Sequence, residues 1–328
     1  MPFFCTLFDS NYLVKGLAML RSLAAYCPQS QTYVLCMDEE ARRLLDRIDP
    51  PRTVRLSLAD VEDQALLAVK PGRSLPEYCW TLSPCLPWYL LDRYPEIDSI
   101  TYLDADLYFF SSVDPLFEEI GDASIAIIEH RFVEPLRHLE IRGRFCVEWV
   151  SFRRDEQGLS CLRRWRDQCI EWCFYKLEDD RMADQKYLDA WPARYASLHV
   201  LQHPGAGIAP WNYARYDIAE AGAGNDGRPR FTSDGSPLIF YHFHQLQFLQ
   251  DGSFDRLSAE YTDTGPPPAR MYEVYEAELR HTLQEVREMS PGFSKGLRPV
   301  LRIKSQRLVQ RLLPKRAKEW LKKIIAAV

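Results

Sequence analysis

The sequence has no glycine-rich loop after its first strand-like run, which excludes both a dinucleotide-binding fingerprint and a P-loop. Its nine cysteines are scattered, with no CxxC pair among them. Cys161, Cys169 and Cys173 fall on one helical stretch but lack zinc-site spacing, so the thiols read as reduced and mostly buried, as in a cytosolic protein. No unbroken apolar run reaches the roughly 18 residues that a membrane span requires. A basic leader is missing ahead of Phe3–Phe8, so no signal peptide is expected. Internal repeats and low-complexity tracts are absent too. What remains is an ordinary globular composition over 328 residues, 46% hydrophobic and 27% charged, enough for one large domain or two.

The net charge of −5 is unevenly placed. From Lys295 onward there are eleven Lys/Arg against the single acid Glu319, a local +10 that leaves about −15 for residues 1–294. An acidic body argues against a nucleic-acid partner, and the basic tail suits an anionic surface.

The chain is organised around Ile100–Phe110, ITYLDADLYFF. Period-2 geometry predicts Asp104 and Asp106 on one side of an extended segment that continues to Phe110. Two carboxylates beside so much apolar surface call for a positive neighbour, and a hard divalent cation, Mn²⁺ or Mg²⁺, supplies one. Before this stretch, a strand at Phe3–Phe8, a turn at Asp9-Ser10-Asn11-Tyr12, a helix over Leu13–Tyr26 and a strand at Tyr33–Met37 form a βαβ unit. A βαβ unit predicts a parallel sheet with ligands beyond its carboxyl ends, where Asp9, Asn11, Tyr12 and the two aspartates all fall. Glu77–Tyr94 reads as a helix interrupted at Pro84 and Pro87, packed beneath the Asp104 strand.

Later elements keep the alternation of an α/β sandwich. They are a short helix from Asp114, strands at Ser124–Ile128 and Cys146–Phe152, a helix over Gly158–Tyr175 and a strand at Leu198–Leu201. Gly222–Gly235 reads as a hairpin or loop, and Leu238–His244 as a strand that puts His242 and His244 on one face. Asp, Asp and His with open positions for phosphate oxygens make sensible Mn²⁺ chemistry. Asp184 and Gln185 open a helix, where Asp184 is either an N-cap or, with Gln185, a group that orients sugar hydroxyls. Pro266–Pro268 marks a linker, and Met271–Met289 a charged surface helix.

These residues, in this order, resemble a known family. The Asp-x-Asn-Tyr turn, YLDADLYF with a following DPLF, a strand ending VSF, Asp184-Gln185, Trp211-Asn212 and the late IFYHF strand are similar to the GT-A nucleotide-sugar glycosyltransferases, most of all the retaining glycosyltransferase family 8. The resemblance covers roughly residues 1–250 and implies a Rossmann-like, mostly parallel sheet flanked by helices. It implies that Asp104, Asp106 and His242 ligate the metal on the donor diphosphate, with Asp104 also reaching the ribose. Asp9, Asn11 and Tyr12 would hold the nucleobase, and Asp184 and Gln185 would surround the donor sugar and reacting centre.

Three departures stand out. The family's Asn-x-Gly before VSF is Cys146-Val147-Glu148, the glycine after the late histidine is Gln245, and no Lys-Pro-Trp follows. Cysteine lacks asparagine's paired donor and acceptor. Glu148 reads as a solvent-facing glutamate or, less simply, a new base. The changes bear on sugar identity and on activity.

At the C-terminus Ala317, Trp320, Leu321, Ile324, Ile325 and Val328 form one helical stripe opposite four lysines, the pattern of an interfacial anchor. The alternative is a terminal helix packed on the body or on a second subunit. The expected organisation is thus a sugar-transferase domain over residues 1–250, a linker and surface helix over 251–294, and a basic amphipathic tail over 295–328. The reading is a peripheral enzyme at the cytoplasmic membrane's inner face. It would transfer from a UDP-sugar or similar donor to a glycan or lipid-linked acceptor, with retention. Its rivals are a sugar nucleotidyltransferase and a catalytically inactive nucleotide-sugar-binding protein.

Overall fold

The computed structural model describes residues 1–300, apart from 225, 259, 262 and 263. The strands that position the site are β1 (Phe3–Phe8), β2 (Gln31–Cys36), β3 (Thr53–Ser57), β4 (Ser99–Leu103), β5 (Leu107–Phe109), β6 (Ile125–Glu129), β7 (Phe145–Arg153) and β8 (Leu198–Leu201). Seven of them form one sheet in the order β3-β2-β1-β4-β7-β6-β8, with β5 outside it. Strands β3, β2, β1 and β4 pair in parallel, as do β6 and β8, whereas β7 runs antiparallel to both of its neighbours. The fold is therefore the mixed α/β arrangement that the alternating pattern predicts, a mostly parallel sheet between helical layers.

The helices are α1 (Leu13–Tyr26), α2 (Glu39–Ile48), the short α3 (Leu58–Val61) and α4 (Gln64–Val69), α5 (Leu75–Arg93), α6 (Asp114–Ile120), α7 (Glu156–Glu171), the short α8 (Trp191–Arg194) and α9 (Ala269–Met289). Leu17, Leu20 and Leu23 of α1 share one core with Tyr272, Tyr275 and Leu279 of α9. On the opposite face Leu82, Leu86 and Leu90 of α5 pack with Leu162 and Trp165 of α7. Helix α9 is therefore no mere surface helix, since its buried face completes the first of these cores.

Helix α5 departs from expectation by running unbroken through Pro84 and Pro87. An interior proline costs about 3 kcal/mol. Full burial of a large apolar side chain returns roughly 1.5–3 kcal/mol, and α5 buries Tyr78, Leu82, Leu86, Leu90 and Leu91. Packing outweighs the backbone penalty. A serine N-cap with Glu77 in a capping box fixes where the helix starts.

The remaining strands, with β5, form three smaller sheets. A meander of β9 (Ile218–Ala223), β10 (Pro229–Ser233) and β11 (Ser236–Pro237) occupies the expected hairpin region. The expected strand over Leu238–His244 is shorter, β12 (Phe240–His242), and pairs antiparallel with β5. Finally β13 (Gln247–Leu249) lies between β14 (Phe254–Asp255) and β15 (Leu297–Arg298). No described helix is long and apolar enough to cross a membrane. The amphipathic stripe from Ala317 to Val328 lies outside the described residues.

Candidate functional site

The Asp104–Asp106 segment is not the extended run that period-2 reasoning predicts. Strand β4 ends at Leu103, residues 104–106 turn, and β5 leaves the main sheet so that Leu107 faces His242 and Phe109 faces Phe240 across the β5–β12 pair. The cause is the mixed character of the segment: Leu107 and Phe109 are fully buried in the core of α1 and α9, while the carboxylates need a cation. The two aspartates still converge, through a turn rather than a pleat.

His242, 2% exposed, meets both carboxylates, and Lys15 meets Asp106 as well. Its Nε2 lies 2.9 Å from Asp106 Oδ1 and 3.8 Å from Asp104 Oδ2, and its Nδ1 lies 2.6 Å from Glu148 Oε2. Burial opposes charge on the ring, but Asp106, Cys146 and Glu148 outweigh it and raise the imidazole well above its ordinary value. Burial likewise opposes the Asp106 carboxylate, and His242 with Lys15 overcomes this and holds it well below the usual range. Asp104 behaves differently. Burial pushes its carboxyl up to about 7, with Asp106, Asp184 and Glu148 adding repulsion against the attraction of His242. Its exposed part faces a cavity rather than bulk water.

Glu148 corrects the expectation of a solvent-facing residue: it is fully buried. Regular alternation along β7 would put Glu148 and Trp149 on opposite faces. The β6–β7 register shifts between Ala126 and Ile128, which pair with Ser151 and Cys146. This bulge brings both residues to the α1 side, where Glu148 meets His242 and Trp149 stacks on Phe240. His244 lies beside His242 with ring centroids 5.2 Å apart, and burial first, then His242, lowers it to about 3.

A cavity of about 570 Å³ opens onto this cluster. Asp104 and His242 line it together with Asp184 and Gln185, and Trp80, Phe132, Trp211 and Tyr261 supply aromatic walls. Asp184 precedes a 3₁₀ turn but makes no side-chain cap, so it is not an N-cap in the usual sense. Its backbone carbonyl accepts from Trp165 Nε1 at 2.9 Å, and burial pushes its carboxyl up to about 7. Gln185 Nε2 donates to the Arg142 carbonyl at 3.0 Å. Gly143 permits this approach: its φ is +142°, and a Cβ there would come within 3.2 Å of Gln185 Cγ.

The Asp9–Tyr12 turn stands at the carboxyl end of β1 but outside the cavity lining. Asp9 Oδ1 accepts from the backbone N–H groups of Asn11 and Tyr12 at 3.0 and 3.1 Å, and Asn11 Nδ2 donates to Asp9 Oδ2 at 2.7 Å. The Asp9 carboxylate thus orders the turn that leads into α1, and the Tyr12 ring is left exposed. Lys15 connects this turn to the cluster: its Nζ lies 4.9 Å from the Tyr12 ring centre and 3.7 Å from Asp106 Oδ2.

Sequence reasoning missed Lys15 and the burial of Glu148. Each had a signal, being a lone charge flanked by apolar residues, Lys15 beside Leu13 and Val14 and Glu148 between Val147 and Trp149. The ligand atoms of Asp106, His242 and His244 lie within 4.8 Å of one another, as do those of Asp104, Cys146 and His242. Carboxylates and imidazoles on this spacing fit a divalent ion such as Mn²⁺.

The fold and this cluster define an α/β protein with an acidic and histidine-bearing site at the carboxyl edge of its parallel strands. No family model matches the chain. It is 30% identical over 298 residues to the uncharacterized protein YfnF of Bacillus subtilis strain 168, covering 89% of this chain and 96% of that one. It is 28% identical over 299 residues to the uncharacterized protein YfnD of the same bacterium, covering 90% and 94%. The chain belongs to the family of YfnF. Among solved structures it is similar to a galactosyltransferase LgtC bound to donor and acceptor sugar analogs, with a TM-score of 0.48 and 15% identity over 83% of this chain and 99% of that one. Mouse xyloside xylosyltransferase 1 gives a TM-score of 0.46 and 15% identity over 74% and 98%. Likeness at this level decides nothing by itself, and the chemistry below rests on the site.

Proposed function

We propose that this protein is a metal-dependent glycosyltransferase of GT-A type, similar to family 8, that moves a sugar from a nucleotide-diphosphate donor to a glycan or lipid-linked saccharide. The observation that carries the reading is the approach of Asp104 and Asp106 to His242 Nε2, with Asp104 and His242 lining a cavity that Asp184 and Gln185 also line. Asp104, Asp106 and His242 would hold Mn²⁺ or Mg²⁺. Such an ion supplies Lewis-acid stabilisation to a departing diphosphate.

The chain's own groups account for the rest. The aromatic walls suit the apolar C–H faces of sugar rings. Asp184, when ionised, offsets positive charge growing on the transferred sugar, and Gln185 offers an amide to its hydroxyls. Asp9, Asn11 and Tyr12 present a turn and an exposed ring suited to a nucleobase. A UDP-sugar and retention of configuration are the donor and outcome we favour. Work at the inner face of the cytoplasmic membrane follows from the basic, amphipathic pattern of the tail.

The test is the melting temperature with UDP, GDP, ADP or CDP, with and without Mn²⁺. A bound nucleotide raises it by mass action. We expect one nucleotide to stabilise only with the metal, and Asp106→Asn to abolish the shift. If no nucleotide moves the melt with any metal, the reading fails.

A further inference from the structure

Glu148 takes no part in the chemistry above, yet its position is costly. The side chain is fully buried in a strand of Val, Trp and Phe. One oxygen, Oε2, accepts from His242 Nδ1 at 2.6 Å, while Oε1 is buried with no hydrogen-bond partner. A buried acceptor left unpaired costs on the order of 1–3 kcal/mol, so simple burial in this strand would favour an apolar residue.

The geometry gives a return for that cost. Glu148 touches both arms of the site: its backbone carbonyl accepts from Asp104 N at 3.3 Å, and its carboxylate from His242. The two ring nitrogens of a histidine point to different sides, so fixing Nδ1 fixes Nε2. With Nδ1 held by Glu148, Nε2 faces Asp106 at 2.9 Å and Asp104 at 3.8 Å. We propose that Glu148 is a positioning residue that holds His242 by its Nδ1–H, keeps Nε2 facing the two aspartates, and thereby strengthens divalent-metal binding at this cluster. The inference rests on the metal-dependent reading of the site. Carboxylates behind ligating histidines shift metal affinity roughly 10–100-fold when removed.

The test titrates the full-length protein with Mn²⁺ alone, following free ion by electron paramagnetic resonance and binding by calorimetry. Glu148→Leu keeps much of the volume but offers no acceptor. We expect it to stay folded by circular dichroism and to bind Mn²⁺ about tenfold or more weakly. Glu148→Gln still accepts from Nδ1–H, and its affinity should stay within about threefold of the parent protein. If Glu148→Leu does not fold, Glu148→Met takes its place under the same criterion. A folded Leu or Met variant with parental affinity overturns the proposal. So does a Gln variant as weak as the Leu variant, because charge rather than the hydrogen bond would then be acting. If the parent protein binds no Mn²⁺, the site reading itself fails and carries this one with it.

Discussion

Asp184 shows how one buried group ties stability to pH. Burial raises its folded-state value to about 7 from the ordinary 3.8. A carboxyl raised on folding contributes stability that is complete below its unfolded value and is lost as pH rises through its folded one. The metal-free protein should therefore lose stability between about pH 4 and pH 7, by on the order of 4 kcal/mol were Asp184 acting alone. Asp184→Asn should flatten that slope in urea unfolding measured with chelator at pH 5 and pH 8; an unchanged slope would remove Asp184 from the account. At this scale the sequence was legible in part. The Asp104–Asp106 spacing pointed to a metal site, and the family resemblance, not spacing, chose His242 to join it. Glu148 was misread, since the direction of a strand side chain depends on a bulge that no alternation pattern records.

At the scale of elements, β5 and β12 decide whether the cluster exists. Phe240 stacks on Trp149 at 5.7 Å and packs on Phe109, so it pins β12 against both β5 and β7. Phe240→Ala should cost about 3–5 kcal/mol and also abolish the metal-dependent nucleotide shift. Phe152, fully buried in the opposite core, gives the contrast. Phe152→Ala should cost a similar amount, while nucleotide still shifts the melt of whatever fraction folds. Equal effects of the two variants on binding would show that general destabilisation is enough. The βαβ opening, α7 and the later strands followed from periodicity and turn residues. The escape of β5 from the main sheet did not, because LYFF reads as a plain continuation of the strand before it. The two prolines of α5 misled for a related reason: local preference was outweighed by burial that only the assembled fold supplies.

For the whole molecule, the described residues form two cores, one on each face of the sheet, and α9 belongs to the first of them. The segment after residue 250 is thus part of the body's packing. A chain cut before α9 would expose Tyr241, Phe243 and Tyr108, the ring partners of Tyr272 and Tyr275. The basic tail poses a separate question, answerable with vesicles. Removal of residues 301–328 should abolish co-sedimentation with phosphatidylserine vesicles at low salt while leaving the nucleotide-dependent melting shift intact. Retained sedimentation would place the lipid contact outside the tail.

One further consequence follows from the Asp106–His242 pair, whose members stand 136 residues apart in the chain. During synthesis, the two aspartates emerge from the ribosome well before the imidazole that balances them. Strand β12 must arrive before β5 has a strand to pair with, and α9 before the core it shares with α1 is closed. A fragment released early would carry Asp104 without a cation and Asp106 with Lys15 alone, beside half-covered Leu107 and Phe109, a combination that invites chaperone capture and proteolysis. The site becomes competent only once β12 and α9 have left the ribosome.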